Sequence, residues 1–299
     1  MKFARQNGAG AWLVAARPHT LWAAVGPVVV GAGLAVGDRA LRWDAFGAAL
    51  LGAVAIQVGA NFANDASDAR RGADAPGRLG PPRAVAAGLL SERAVWVGTW
   101  MVFGLAALAG LYLTALAGPV VLVIGLASIA AALGYTGGRR PYGYRGLGEA
   151  AVFVFFGPVA TVMSRYVHDR TAPLDAWLLA VPVGLLVTAI LVANNIRDIE
   201  TDAAVGKRTL AVRLGRPRTA ALYRVLVWGA WAAIGLFSVI GWTPPWTALA
   251  LLAAPLAVPL VRAIGREVSG PEMIRVLQRT ARLHALVSAL LGVGAALGR

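Results

Sequence analysis

Apolar runs of membrane-spanning length recur along this chain, at roughly 19–36, 44–63, 94–115, 117–136, 149–166, 174–195, 219–241, 244–264 and 281–297. A helix of about 20 such residues crosses the hydrocarbon of a bilayer. Nine runs therefore predict an all-α, polytopic membrane protein. Hydrophobic residues make up 58% of the chain and charged ones 14%, against about 25% charged in soluble domains. Small residues fill the runs, as in "GAGLAVG" and "LLGVGAALG", which suits helices that must approach closely in lipid.

The net charge of +14 raises the prospect of a nucleic-acid partner, but the basic residues are spread by loop and form no soluble basic domain. With the N-terminus on the cytoplasmic side, the loops holding Arg70, Arg71, Arg78 and Arg83, then Arg139, Arg140 and Arg145, then Lys207, Arg208, Arg213 and Arg216, then Arg266, Arg275 and Arg279 share that side. This is the positive-inside pattern. No cleavable leader is expected, because the first run leads straight into the second. Cysteine is absent from the sequence, which excludes disulfides, thiolate zinc and a cysteine nucleophile. The longest polar stretches, about 64–93, 196–218 and 265–280, are too short for a separate soluble domain, so residues 1–299 read as one.

Those stretches carry the chemistry. The second run ends in Asn61, Asn64, Asp65 and Asp68; the sixth ends in Asn194, Asn195, Asp198 and Asp202. If each helix continues through its polar end, these residues recur at i, i+3/i+4 and i+7 on one face. A lone acidic pair of this kind is usually a solvated helix end. Two matched clusters on one side of the membrane, each preceded by asparagines, point instead to an oxygen-only cation site. Hard oxygen donors suit Mg²⁺, which keeps waters and bridges to substrate phosphates. Arg78, Arg83, Arg140, Arg197, Lys207 and Arg208 lie nearby in sequence, and guanidinium groups grip phosphate oxygens in pairs. Paired intramembrane carboxylates also mark cation-coupled transporters. Against a transporter, the acids here gather at one membrane face.

"NFANDASD" after the second run, "NNIRDIETD" and "GKRTLAVRLG" after the sixth, "ARPHTL" before the first and "YTGGRRPYGYRGLGE" after the fourth resemble the UbiA-type intramembrane prenyltransferases. "NDASDARRGAD" and "GLGEAAVFVFFGPVA" are most similar to the bacterial 1,4-dihydroxy-2-naphthoate polyprenyltransferases of menaquinone synthesis. Many members carry a further aspartate where this chain has Gly72, the next acid being Asp74.

The resemblance implies nine helices around a central cavity, in a bacterial cytoplasmic membrane, with the site facing the cytoplasm. It implies two Mg²⁺ ions on Asp65, Asp68, Asp198 and Asp202, supported by Asn61, Asn64, Asn194 and Asn195. A polyprenyl diphosphate would place its head on these ions and its tail in an apolar groove open to membrane lipid. Arg140, Arg197 and Lys207 are the strongest diphosphate contacts, with Arg78 and Arg83 beside them. Arg17 or Arg145 would take the acceptor's carboxylate, with Tyr142 and Glu149 near the mouth. Prenylation of another aromatic acid, such as 4-hydroxybenzoate, would use the same diphosphate residues. Phe153, Phe155 and Phe156 before Gly157 and Pro158 read as packing around a kink; His19 and His284 receive no role.

Overall fold

The computed structural model describes residues 8–73, 80, 82–266 and 270–298. Every regular element among them is helical, which agrees with the all-α reading. The order is α1 (Gly8–Ala16), α2 (Trp22–Gly37), α3 (Trp43–Arg70), α4 (Glu92–Ala117), α5 (Pro119–Thr136), α6 (Gly148–Val154), α7 (Ala160–Asp169), α8 (Leu174–Arg197), α9 (Ile199–Ala204), α10 (Leu210–Ile240), α11 (Ala257–Ala263) and α12 (Gly270–Ala296). By length and composition seven helices among the described residues can cross a membrane, or eight if α1 and α2, bent by 51° at the 3-10 turn Pro18–Thr20, count as one span. The protein is thus multi-pass, and the expected count of nine is not confirmed by this measure. The last expected run falls in α12, whose first half carries Arg275, Arg279 and Arg282 and is too polar to qualify.

Local chemistry explains the other departures. α6 and α7 form one span through a π turn at Phe155–Val159, because Pro158 offers no N–H to the helical ladder. This is the expected kink. The eighth run opens as a 3-10 stretch, Pro245–Leu256, with proline at both of its ends. α10 bends at Gly215, whose φ of 73° and ψ of 167° lie outside helical space; glycine reaches positive φ without a Cβ penalty. Caps set two starts: Ser91 accepts from the Ala94 N–H at 3.2 Å, and Thr209 from Val212 at 3.3 Å.

α8 is the enclosed helix, with 72% of its most apolar window buried against 11% for α5. Around α8 pack α10 and α12, joined through Leu186, Ile196, Tyr223, Val227, Met273 and Val287. α5 and the outer faces of α4 and α10 expose Val123, Leu108 and Val239, as surfaces that meet lipid must. Close packing in lipid depends on small residues. At the α2–α12 crossing, a Cβ on Gly33 would sit 2.2 Å from the Gly292 carbonyl oxygen.

On the membrane face opposite the two clusters, Arg165 is almost fully buried and grips both Asp38 and Asp169 at 2.7 Å. On the same side Arg42 pairs with Asp44 at 2.9 Å, and Arg170 donates to the Leu116 carbonyl.

Candidate active site

α3 continues through its polar end to Arg70, which meets the condition for its asparagines and aspartates to share a face. Gln57, Ala60, Asn61, Asn64 and Asp68 consequently share a stripe that lines a cavity of about 710 Å³. The far walls come from Val187, Ile190, Leu191, Asn194, Asn195 and Arg197 of α8, Phe155 and Phe156 of the π turn, and Val121, Ile124 and Ala132 of α5. Most polar groups stand at the end nearest Arg70, while the remainder of the lining is mainly aliphatic and aromatic, with Ser128 and Ser164 set into it. The cavity is amphipathic along its length.

The second cluster is built differently from the expectation. α8 ends at Arg197, Asp198 leaves helical geometry with φ of −100° and ψ of 11°, and α9 begins anew at Ile199. Asp198 and Asp202 are thus one turn apart across a break, held by the Asp202 N–H donating to the Asp198 carbonyl at 2.8 Å. Arg197 clasps Asp198 with Nε at 2.7 Å and Nη2 at 2.5 Å, and donates to Asn194 Oδ1 at 2.9 Å. This pair is buried at both partners.

Lys207 joins the clusters. Its ammonium lies 3.9 Å from Asp68 Oδ2 and 3.4 Å from Asp202 Oδ1, fixed by its own N–H donating to the Asp202 carbonyl at 2.9 Å. Tyr144 completes the arrangement. Its hydroxyl donates to Asp68 Oδ1 at 2.9 Å, its ring lies under the Lys207 ammonium at 5.2 Å, and Arg71 covers it at 5.5 Å. Burial, then the Asp68 charge, pushes the Tyr144 hydroxyl well above its ordinary range, so it remains a donor. Burial also raises Tyr142 to about 12. Arg83 stands 3.6 Å from Asp68 at the cavity wall.

Among the described residues no three carboxylates or imidazoles converge as a metal cage. The donor set nevertheless fits a hard cation. It is all oxygen, Asp68 and Asp202 already share one positive charge, and Asp202 Oδ2 is buried without a hydrogen-bond partner. Burial raises the Asp202 carboxyl to about 6 despite the pull of Lys207, the condition that an added cation relieves.

The other sequence-predicted residues divide. Arg17 lines the cavity with a left-handed backbone, φ 50°, an uncommon conformation outside glycine. Tyr142 lines it as well. Asn61 faces it but is tied to α1 and the turn after it, donating to the Ala16 carbonyl at 2.8 Å and the Thr20 hydroxyl at 2.9 Å. Asn195 donates to Glu149 at 2.9 Å, which makes Glu149 a buried support one step back from the lining. Arg140 and Arg145 are exposed, outside the cavity wall. Asp65 is buried but turned toward the loop at residues 84–85. Arg78 and Asp74 lie outside the described residues. Missed by the sequence reading were Tyr144 as an Asp68 ligand, Thr136, which donates to Asn64 Oδ1 at 2.8 Å, and Gln57, which donates to Thr20 at 3.2 Å. Gln57 left a signal, a polar residue one turn before Asn61 inside an apolar run, and Thr136 and Tyr144 lie in the quoted segment "YTGGRRPYGYRGLGE" without their partners being marked there.

Comparison with known proteins agrees with this architecture. The model of the UbiA prenyltransferase family matches residues 24–272. The chain is 44% identical to a 1,4-dihydroxy-2-naphthoate octaprenyltransferase of Mycobacterium tuberculosis, over 95% of this chain and 96% of that one. In fold it is similar to a UbiA homologue from Aeropyrum pernix K1, with a TM-score of 0.68 at 17% identity over 92% of this chain and 96% of that one. It also resembles a UbiA homologue from Archaeoglobus fulgidus bound to DMAPP and Mg²⁺, with a TM-score of 0.58 at 14% identity over 94% and 99% of the two chains.

Proposed function

This chain belongs to the UbiA prenyltransferase family, and from that premise we propose that it transfers a polyprenyl group from its diphosphate to 1,4-dihydroxy-2-naphthoate, with loss of CO₂ and diphosphate. The product is the demethylmenaquinol of menaquinone synthesis. The acceptor follows from the 44% identical relative. The observation that carries the chemistry is Lys207, whose ammonium brings Asp68 and Asp202 together at the polar end of an apolar cavity.

In this reading Asp68, Asp198 and Asp202, with the Asn64 carbonyl, hold two Mg²⁺ ions. Bound there, Mg²⁺ would neutralise charge on the departing diphosphate. Arg83, Arg197 and Lys207 line the cavity and would supply donors to the diphosphate oxygens, where charge grows as the allylic C–O bond breaks, Arg197 while its Nε and Nη2 hold Asp198 and Asn194. Asn194 and Asn195 orient this wall, the first through Arg197 and the second through Glu149. Phe155 and Phe156 line the cavity where their rings would meet the chain, and the aliphatic lining would keep water from the allylic cation.

Attack comes from the ring carbon that bears the carboxylate. That carbon sheds CO₂ and keeps the electron pair in the ring, so it needs no base to take a proton. Arg17, at the cavity wall, is better placed than exposed Arg145 to receive the acceptor's carboxylate. One catalytic domain spanning the chain, a bacterial cytoplasmic membrane and a cytoplasmic N-terminus belong to the same reading, supported by the arginines beside the site.

Product mass tests it. Purified protein, Mg²⁺, a polyprenyl diphosphate and 1,4-dihydroxy-2-naphthoate should yield prenylated naphthoquinol without its carboxylate. A product only from 4-hydroxybenzoate would overturn the acceptor, and none from either would remove the transferase reading.

A further inference from the structure

Asp65 and Asp68 are three residues apart on α3, yet they do different things. Asp68 lines the cavity and faces Tyr144 and Lys207. Asp65 is 1% exposed and does not contribute to the lining. Both its oxygens are engaged by backbone: Oδ2 accepts from the Ala84 N–H and Oδ1 from the Val85 N–H, each at 3.0 Å. These donors lie 19 and 20 residues further along, where the cytoplasmic loop returns to the bundle. The returning segment is itself a closed turn, with the Ala87 N–H donating to the Arg83 carbonyl at 2.8 Å and the Leu89 N–H to the Ala84 carbonyl at 2.9 Å. The residue next to the first anchored amide is Arg83, its side chain 9% exposed and 3.6 Å from Asp68.

A carboxylate that accepts two backbone N–H groups forms short, charge-assisted bonds. Each oxygen keeps a second lone pair, but the carboxylate is buried away from the cavity lining where Asp68 stands, and turning it toward a cation there would strip acceptors from two backbone amides, one of them at fully buried Ala84. The anchored turn also fixes where Arg83 emerges.

From this geometry we infer that Asp65 is a positioning residue, a latch that sets the 83–85 segment so that Arg83 reaches the diphosphate, and not a ligand of the metal. The inference rests on the diphosphate site proposed above.

Loop and helix can be tested from both ends. Asp65→Asn replaces one acceptor oxygen by a donor, and Val85→Pro removes one of the two N–H groups while leaving Asp65 intact. Each should raise the KM for polyprenyl diphosphate about tenfold, as should Arg83→Ala, because all three lose the same charge-assisted contact. The Mg²⁺ concentration giving half-maximal rate should stay within about twofold of wild type, and the D65N/R83A double variant should be no worse than R83A alone. A readout free of turnover accompanies these: Mg²⁺ should raise the unfolding temperature of D65N as much as that of wild type.

The idea is overturned if D65N shifts the Mg²⁺ requirement tenfold or loses the Mg²⁺-induced rise while Val85→Pro behaves as wild type. Multiplying penalties in the double variant would overturn it as well. Should D65N not fold, Val85→Pro decides, a wild-type KM refuting the latch. Wild-type protein that makes no product would instead sink the function on which the inference rests, with the latch geometry still to be read from the Mg²⁺ rise in D65N.

Discussion

Removing the Asp202 carboxylate should separate stability from catalysis. A carboxyl held at about 6 in place of 3.8 is worth about 3 kcal/mol against its own ionised form at neutral pH. That figure already includes the attraction of Lys207, and it is an upper bound on what neutralisation can return. The sign follows from linkage. The folded carboxyl binds its proton more tightly than the unfolded one, so metal-free protein gains stability as pH falls from above about 6 toward about 4. Asp202→Asn should therefore be about 1 to 3 kcal/mol more stable than wild type in EDTA at neutral pH, read as a higher unfolding midpoint in detergent. Mg²⁺ should stabilise wild type and have far less effect on the variant. Turnover should fall at least about a hundredfold, the range seen when a group stabilising developing charge is removed. A variant that is less stable in EDTA, or that Mg²⁺ stabilises as strongly as wild type, would refute the placement of Asp202 at the cation.

Asp198→Asn should behave in the opposite way on stability, losing about 3 to 5 kcal/mol because it leaves Arg197 buried beside a broken pair; chemical denaturation of the detergent-solubilised protein would show it. Tyr144→Phe should lower turnover about tenfold with little change in unfolding midpoint, since one donor to Asp68 is lost and the ring under Lys207 remains; steady-state kinetics would report it. Gly33→Leu should fail to assemble or lose its sharp unfolding transition, because even a Cβ meets the Gly292 carbonyl at 2.2 Å. Gly33→Ala should be the milder case, at about 1 to 3 kcal/mol.

What the sequence disclosed depended on whether the information was local. The shared face of Asn61, Asn64 and Asp68 was conditional on α3 carrying its helix into the polar segment, and α3 does run to Arg70. Pro158 announced the kink between α6 and α7. The break at Asp198 was not legible; it coincides with the clasp of Arg197 on the neighbouring carboxylate, a contact that helical spacing does not encode. Asp65 and Asp68 look alike in the motif. Only a contact closing a loop of 19 residues tells them apart. Arg140 seemed as good a phosphate contact as Lys207, but its turn, which passes through Gly138 at φ 75°, leaves it exposed, whereas the Lys207 backbone is folded back onto Asp202. The span count stays unconfirmed where a helix is half polar: α12 contains the last apolar run together with three arginines, and composition does not say how deeply such a helix sits.

The most direct test is to locate the metal. Crystals grown with Mn²⁺ and a non-hydrolysable polyprenyl diphosphate analogue would give an anomalous signal at each bound ion. Signal within coordination distance of Asp68 and Asp202, with Lys207 on the diphosphate, is the predicted result. Manganese bound to Asp65, or to neither motif, would contradict the site.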